Sequence, residues 1–220
     1  MAYLGIVLCF IPLILMFIID TFCFKLEALH QLFAILLGLF AVLPISFIQY
    51  FLPGIKFLEA MPVLYSLLKS IILYGLVEEM VKMLLFLPLP HKDYTEFKTL
   101  MLAFVFGAAI ASFESVVYFL TYLQNSQITG GKLLYGSIFL RIFSSDIIHI
   151  CCTGLCALFV YTLRNKPAKI SILVTAILLH GIYDFFAGFT NGLRWFSVPV
   201  ILLTIAECRI KYTSLQTENQ

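Results

Sequence analysis

Residues 61–87 read MPVLYSLLKSIILYGLVEEMVKMLLFL. The run is longer than the roughly 20 residues a helix needs to cross a bilayer. Four ionisable side chains interrupt it: Lys69, Glu78, Glu79 and Lys82. Whether such a stretch belongs in water or in lipid is decided by the rest of the chain. Of 220 residues, 62% are hydrophobic and only 12% are charged, where a soluble domain carries about 25% charged residues. That is too little polar surface to coat a soluble globule. The apolar residues also fall into long blocks, so the chain reads as an all-α, polytopic transmembrane bundle. A net charge of +2 gives no basis for a nucleic-acid partner.

Seven spans are expected, at about 3–19, 29–52, 61–87, 99–123, 133–163, 168–186 and 193–210. The third ends in the breaker Pro88–Leu89–Pro90, and a polar tail follows the seventh. The first block has no basic residue before Lys25 and no clear small-x-small cleavage site, so it reads as a retained span rather than a signal peptide. No repeat and no linker divides the chain. Residues 1–220 form one membrane domain, with a chemistry-bearing core at about 61–187.

The loops are short, so basic residues can be counted by side. Lys25, Lys92, Lys98, Arg164, Lys166, Lys169, Arg209 and Lys211 fall on one side, and Lys56, Lys132 and Arg194 on the other. The excess places the N-terminus outside and the C-terminus in the cytoplasm. The six cysteines match neither a disulfide scaffold nor a zinc ribbon, and read as small buried apolar residues.

The polar residues within the spans carry the functional argument. An ionised group at mid-membrane costs about 2.5–3.5 kcal/mol even on the lenient insertion scale. Eight facing lipid would cost on the order of 20 kcal/mol, more than the stability of most domains. They must face one another or a water-filled cavity. Glu78 and Glu79, then Glu114, His149 and His180, lie at similar depth on four successive expected spans. Helical spacing lets Glu78 and Glu79 reach Lys82, Glu114 reach Tyr118, and His180 reach Asp184. Gly107, Ala108, Ala109, Ala111 and Ser112 would let a neighbouring helix approach the fourth span closely. Lys69, Arg141, Ser145 and Glu207 read as interhelical glue.

Water, carboxylate and imidazole in a low-dielectric pocket are the parts of a hydrolase. A glutamate moved toward neutral pKa can take a proton from water and return it to a leaving amine. A histidine can share the base role or stabilise an oxyanion. No GxSxG is present, and Ser144, Ser145, Asp146 and His149 share one helix, which is poor geometry for a triad. Glu78 or Glu79 with Glu114, His149 and His180 could ligate zinc and leave a position for water. HExxH is absent, so metal is not demanded. Cys152 and Cys156, on a stripe with His149, offer a softer site. The rival class is a proton- or ion-coupled transporter, since buried acids and histidines also mark ion routes.

EEMVK (Glu78 to Lys82), FESVVY (Phe113 to Tyr118), His149 and HGIYD (His180 to Asp184) together resemble, in order, the motifs of the PrsW family of bacterial intramembrane proteases. That family looks related to the CAAX prenyl proteases and bacteriocin-processing membrane proteases. The resemblance implies a multi-pass protein of the bacterial inner membrane that cuts a single-span membrane protein such as an anti-sigma factor. By position, it implies Glu78, Glu79 and His180 as the most catalytic residues, completed by His149 and Glu114. Lys82, Tyr118 and Asp184 would orient the site or balance its charge. Metal and glutamate-activated water stay open. The N-terminal third and the seventh span carry no motif.

Overall fold

The computed structural model describes residues 2–52, 61–89, 94–124 and 131–217. No strand occurs among the described residues. Helices α1 (Ala2–Cys9) and α2 (Ile11–Phe22) are followed by α3 (Ala28–Phe51), α4 (Pro62–Lys69), a π-helical segment (Ser70–Leu76) and α5 (Val77–Phe86). Then come α6 (Glu96–Gln124), α7 (Gly131–Ile142), α8 (Ser145–Asn165), α9 (Ile170–Ala187), a 3₁₀ turn (Gly192–Phe196) and α10 (Ser197–Thr217).

Among the described residues four helical stretches are long and apolar enough to cross a membrane: Ala28–Phe51, Glu96–Gln124, Tyr135–Asn165 and Ile170–Ala187. A fifth is reached if α1 and α2, bent by 43°, form one broken span. The other two of the seven expected spans are also helical, as α4 through α5 and as α10, but are not among these. The first expected helix is in fact broken at Phe10, with Pro12 at the start of α2. The fifth is interrupted at Phe143 and Ser144, where α7 gives way to α8. Pro90, Lys56 and Lys92 lie outside the described residues, as does the side chain of Lys132.

Helix α6 is the centre of the bundle. Of its most apolar stretch 72% is buried, against 28% for α3, which turns Leu36, Phe40, Leu43 and Phe47 outward as a lipid-facing stripe. The small residues of α6 explain its position. A Cβ on Gly107 would stand 2.9 Å from the His149 carbonyl oxygen on α8. On the other side Gly38 of α3 packs on the Phe106 carbonyl and Ala109. A second close crossing joins the π-helical segment to α9. A Cβ on Gly181 would lie 2.5 Å from Ile71 Cα, and one on Gly75 would collide with the Ile177 carbonyl. Van der Waals packing and small residues, rather than water exclusion, drive such association in lipid. The two crossings press α8 onto α6 and α9 onto the stretch just before Glu78.

Candidate active site

Glu78 and Glu79 open α5, directly after the π-helical segment. A π insertion shifts the helical register, and such segments concentrate at functional sites. Adjacent helical residues point about 100° apart, so the two carboxylates do different things. Glu79 is fully buried and has all its partners within the protein. Its Oε1 accepts from Lys82 Nζ at 2.7 Å and lies 2.5 Å from His180 Nδ1. Its Oε2 accepts from the Cys156 thiol at 3.1 Å. Glu78 instead lines a cavity of about 430 Å³, together with Glu114, Tyr118, His149, His180 and Asp184.

Each imidazole is gripped from behind. The 2.5 Å contact places the His180 Nδ1 proton against Glu79. Nε2 then faces Glu78 Oε2 at 3.7 Å and Asp184 Oδ2 at 3.4 Å. Lys82 Nζ, which can only donate, sits 3.1 Å from His149 Nδ1. That nitrogen therefore accepts, and the proton-bearing Nε2 stands against the Glu114 carboxylate as an ion-pair contact. His149 Nδ1 faces Glu78 Oε2 at 3.8 Å. The two rings stand edge to face with centroids 5.0 Å apart. Three lone-pair atoms, one from each of Glu78, His149 and His180, thus converge from α5, α8 and α9.

All four motif segments meet at this site. Asp184 reaches His180 as the spacing predicts, but the closer partner of that ring is Glu79, on its other nitrogen. The Tyr118 ring lies under the Arg141 guanidinium, 4.0 Å from it.

Of the residues absent from the motifs, Gln49, Cys156 and Arg141 contact the site's carboxylates. Gln49 of α3 donates to Glu78 Oε1 at 3.1 Å. Cys156, which the spacing puts on a stripe with His149, donates to Glu79 Oε2 at 3.1 Å. Arg141 is more than glue between helices: it pairs with Glu114 Oε2 at 3.3 Å and donates to Ser115 Oγ and Ser145 Oγ at 3.0 and 3.1 Å. The signal for Arg141 was available, since a cation in a span is itself a functional pointer. Glu207 pairs with Lys211 on α10, outside the cavity lining.

The donor set fits a divalent cation once Lys82 Nζ, which holds the His149 Nδ1 lone pair here, is left to its glutamate partners alone. A tetrahedral ion with bonds of about 2.1 Å holds its ligands roughly 3.4 Å apart. Here the carboxylate oxygen and the two imidazole nitrogens that face it are separated by 3.7 and 3.8 Å, and the ligand atoms of all three residues lie within 4.8 Å of one another. Glu79 and Glu114 sit behind the histidines, where carboxylates orient metal ligands. Neither belongs to the converging group. Four carboxylates, Glu78, Glu79, Glu114 and Asp184, stand with three cationic side chains, Lys82, Arg141 and Arg194, so the site keeps a net negative charge that a cation would offset.

A membrane-embedded helical bundle with carboxylates and histidines around a polar cavity is built as an intramembrane hydrolase is. The chain belongs to the PrsW family of intramembrane metalloproteases, whose family model matches residues 27–206. No curated protein and no solved structure matches it.

Proposed function

We propose that this protein cleaves a peptide bond in a single-span, membrane-anchored regulatory protein, an anti-sigma factor being the class the motifs favour. The observation that carries this reading is the convergence of Glu78 Oε2, His149 Nδ1 and His180 Nε2 at the cavity, with the outer nitrogen of each ring held by a separate carboxylate. Those three residues would hold a divalent metal, zinc being the best fit to one carboxylate and two imidazoles. When bound, such an ion supplies a water of pKa near 7 and polarises a carbonyl.

The chain's own groups do the rest. Glu79 and Glu114 fix the two rings, so that each presents one nitrogen to the cavity. Lys82 balances Glu79 at the closest distance of any pair in the cluster that involves an ammonium. Asp184 lines the cavity beside His180 and is part exposed. It is placed to take the proton of the attacking water and return it to the leaving amine. Arg141 and Tyr118, which also line the cavity, supply positive charge and a hydroxyl near the developing oxyanion. The lining runs on to Tyr122, Gly188 and Arg194, near the ends of α6 and α9. The basic-residue excess assigns this side to the exterior of a bacterial inner membrane, so the scissile bond would lie in the outer part of the substrate's span.

The test is cleavage of a panel of single-span membrane proteins, anti-sigma factors included, by the purified protein before and after chelation and zinc return. Cutting that is lost to chelator and restored by zinc supports the reading in full. Cutting indifferent to chelator supports peptidase activity through carboxylate-activated water and removes the metal. No cutting by folded wild type, with proton flux in vesicles, overturns the reading in favour of transport.

A further inference from the structure

Gln49 is the polar residue that α3 contributes to the cavity lining, from outside the motif-bearing segments. Gln49 lies on α3, a helix that otherwise packs on α6 and turns an apolar stripe to lipid. Its side-chain NH₂ has two hydrogens, and both are used. One goes to Glu78 Oε1 and the other to the Leu73 carbonyl oxygen, each at 3.1 Å. Both partners can only accept, so the amide cannot be turned over without setting its own oxygen against a carboxylate and a carbonyl.

The Leu73 carbonyl is within reach because of the π-helical segment. In a regular α-helix the Val77 N–H would bond to Leu73, four residues back. Here it points to Ile72 O and Tyr74 O instead. Gln49 takes the carbonyl that Val77 passes over, and this bond sets the amide beside Glu78.

The consequence falls on Glu78. Its carboxylate has two equivalent oxygens and a broad terminal torsion. Anchoring Oε1 on Gln49 breaks that equivalence and leaves Oε2 as the oxygen near Lys82, His149 and His180, at 3.7, 3.8 and 3.7 Å. A neutral donor does this without adding a charge that would compete for the imidazoles.

We propose that Gln49 is a positioning residue of the peptidase site, holding Glu78 by Oε1 so that Oε2 is the oxygen presented to the two histidines. The proposal rests on the peptidase reading for its kinetic consequence, but not for the contact itself. Loss of an outer partner of a metal ligand costs about 10–100-fold in affinity or activity.

The test uses the full-length protein in detergent, as Gln49→Leu and, should that variant fail to fold, Gln49→Met. With a membrane-anchored substrate that wild type cuts, kcat is expected to fall about 10–100-fold while KM changes less than about twofold and the melting temperature holds, a split that simple loss of packing would not give. Gln49→Glu, which sets a carboxylate against a carboxylate, is expected to be worse than Gln49→Leu. Independently of any substrate, the infrared difference between wild type and Glu78→Gln isolates the Glu78 carboxylate stretch. That band is expected to shift in the Gln49→Leu background. An unmoved band overturns the proposal whether or not anything is cut, and so does a variant with full kcat. A wild type that cuts nothing while the band moves counts against the peptidase reading and leaves the Gln49 contact standing.

Discussion

Glu79 Oε1 and His180 Nδ1 lie 2.5 Å apart although 101 positions separate them in the chain. The contact ties α5 to α9 and gives the imidazole its orientation. It also makes Glu79 the hub of a buried cluster, because the same oxygen takes Lys82 Nζ at 2.7 Å.

Breaking that ion pair from one side should cost more than removing it altogether. Lys82→Met leaves Glu79 buried with too little positive charge, and a broken buried pair typically costs about 3–5 kcal/mol. The double variant Glu79→Gln/Lys82→Met should recover at least half of that stability and none of the activity. Denaturation of the two single variants and the double, read as a cycle, checks it.

The glycine crossing sets the distance between α9 and the π-helical segment that leads into α5. Gly75→Ala should push the π-helical segment off α9, since its Cβ would meet the Ile177 carbonyl. A misplacement of 1 Å can cost about 100-fold in rate, and cleavage should fall at least that far. Gly136→Ala, with nothing within 4 Å of the added Cβ, should be silent in the same assay.

Arg141 offers a test of geometry against charge. Its guanidinium serves Glu114, Ser115 and Ser145 at once and lies on Tyr118. A lysine keeps the charge but not the planar fork. Arg141→Lys should therefore lose about 10-fold in cleavage, on the scale of losing one charged hydrogen bond. Arg141→Ala should lose more.

Thiol chemistry has no part in the account. Cys23 is exposed, whereas Cys9, Cys151, Cys152, Cys156 and Cys208 are buried. Brief maleimide treatment of the folded protein should label Cys23 alone, by mass spectrometry, and leave cleavage intact.

Much of the site was legible because it is written in local spacing. Lys82 with the glutamates and His180 with Asp184 are contacts three or four residues apart, which a helix makes automatically. The cost of ionisable groups in lipid then requires those faces to meet. What sequence could not show is which of two adjacent glutamates faces the cavity. They diverge by about 100°, and packing of α8 and α9 decides that Glu79 is enclosed and Glu78 lines the water-accessible side. Gln49 was invisible for a related reason: its partner lies 29 positions away, and it depends on a π-helical register shift that no apolar period reveals. Pro12 marks the break between α1 and α2, although the expected first span ran through it. The break at Phe143 and Ser144 has no proline to mark it, but the polar run Ser144–Ser145–Asp146 interrupts the apolar block there and is of the type that starts a helix.

The most direct measurement is cleavage of a membrane-anchored substrate by purified wild type beside Glu78→Gln, with insertion and folding of both verified. The amide keeps the shape of the side chain and removes its charge. Glu78→Gln is expected to be folded and to lose about 1,000-fold in cleavage, on the order of removing an essential electrostatic group. Cleavage by folded Glu78→Gln at the wild-type rate would contradict that.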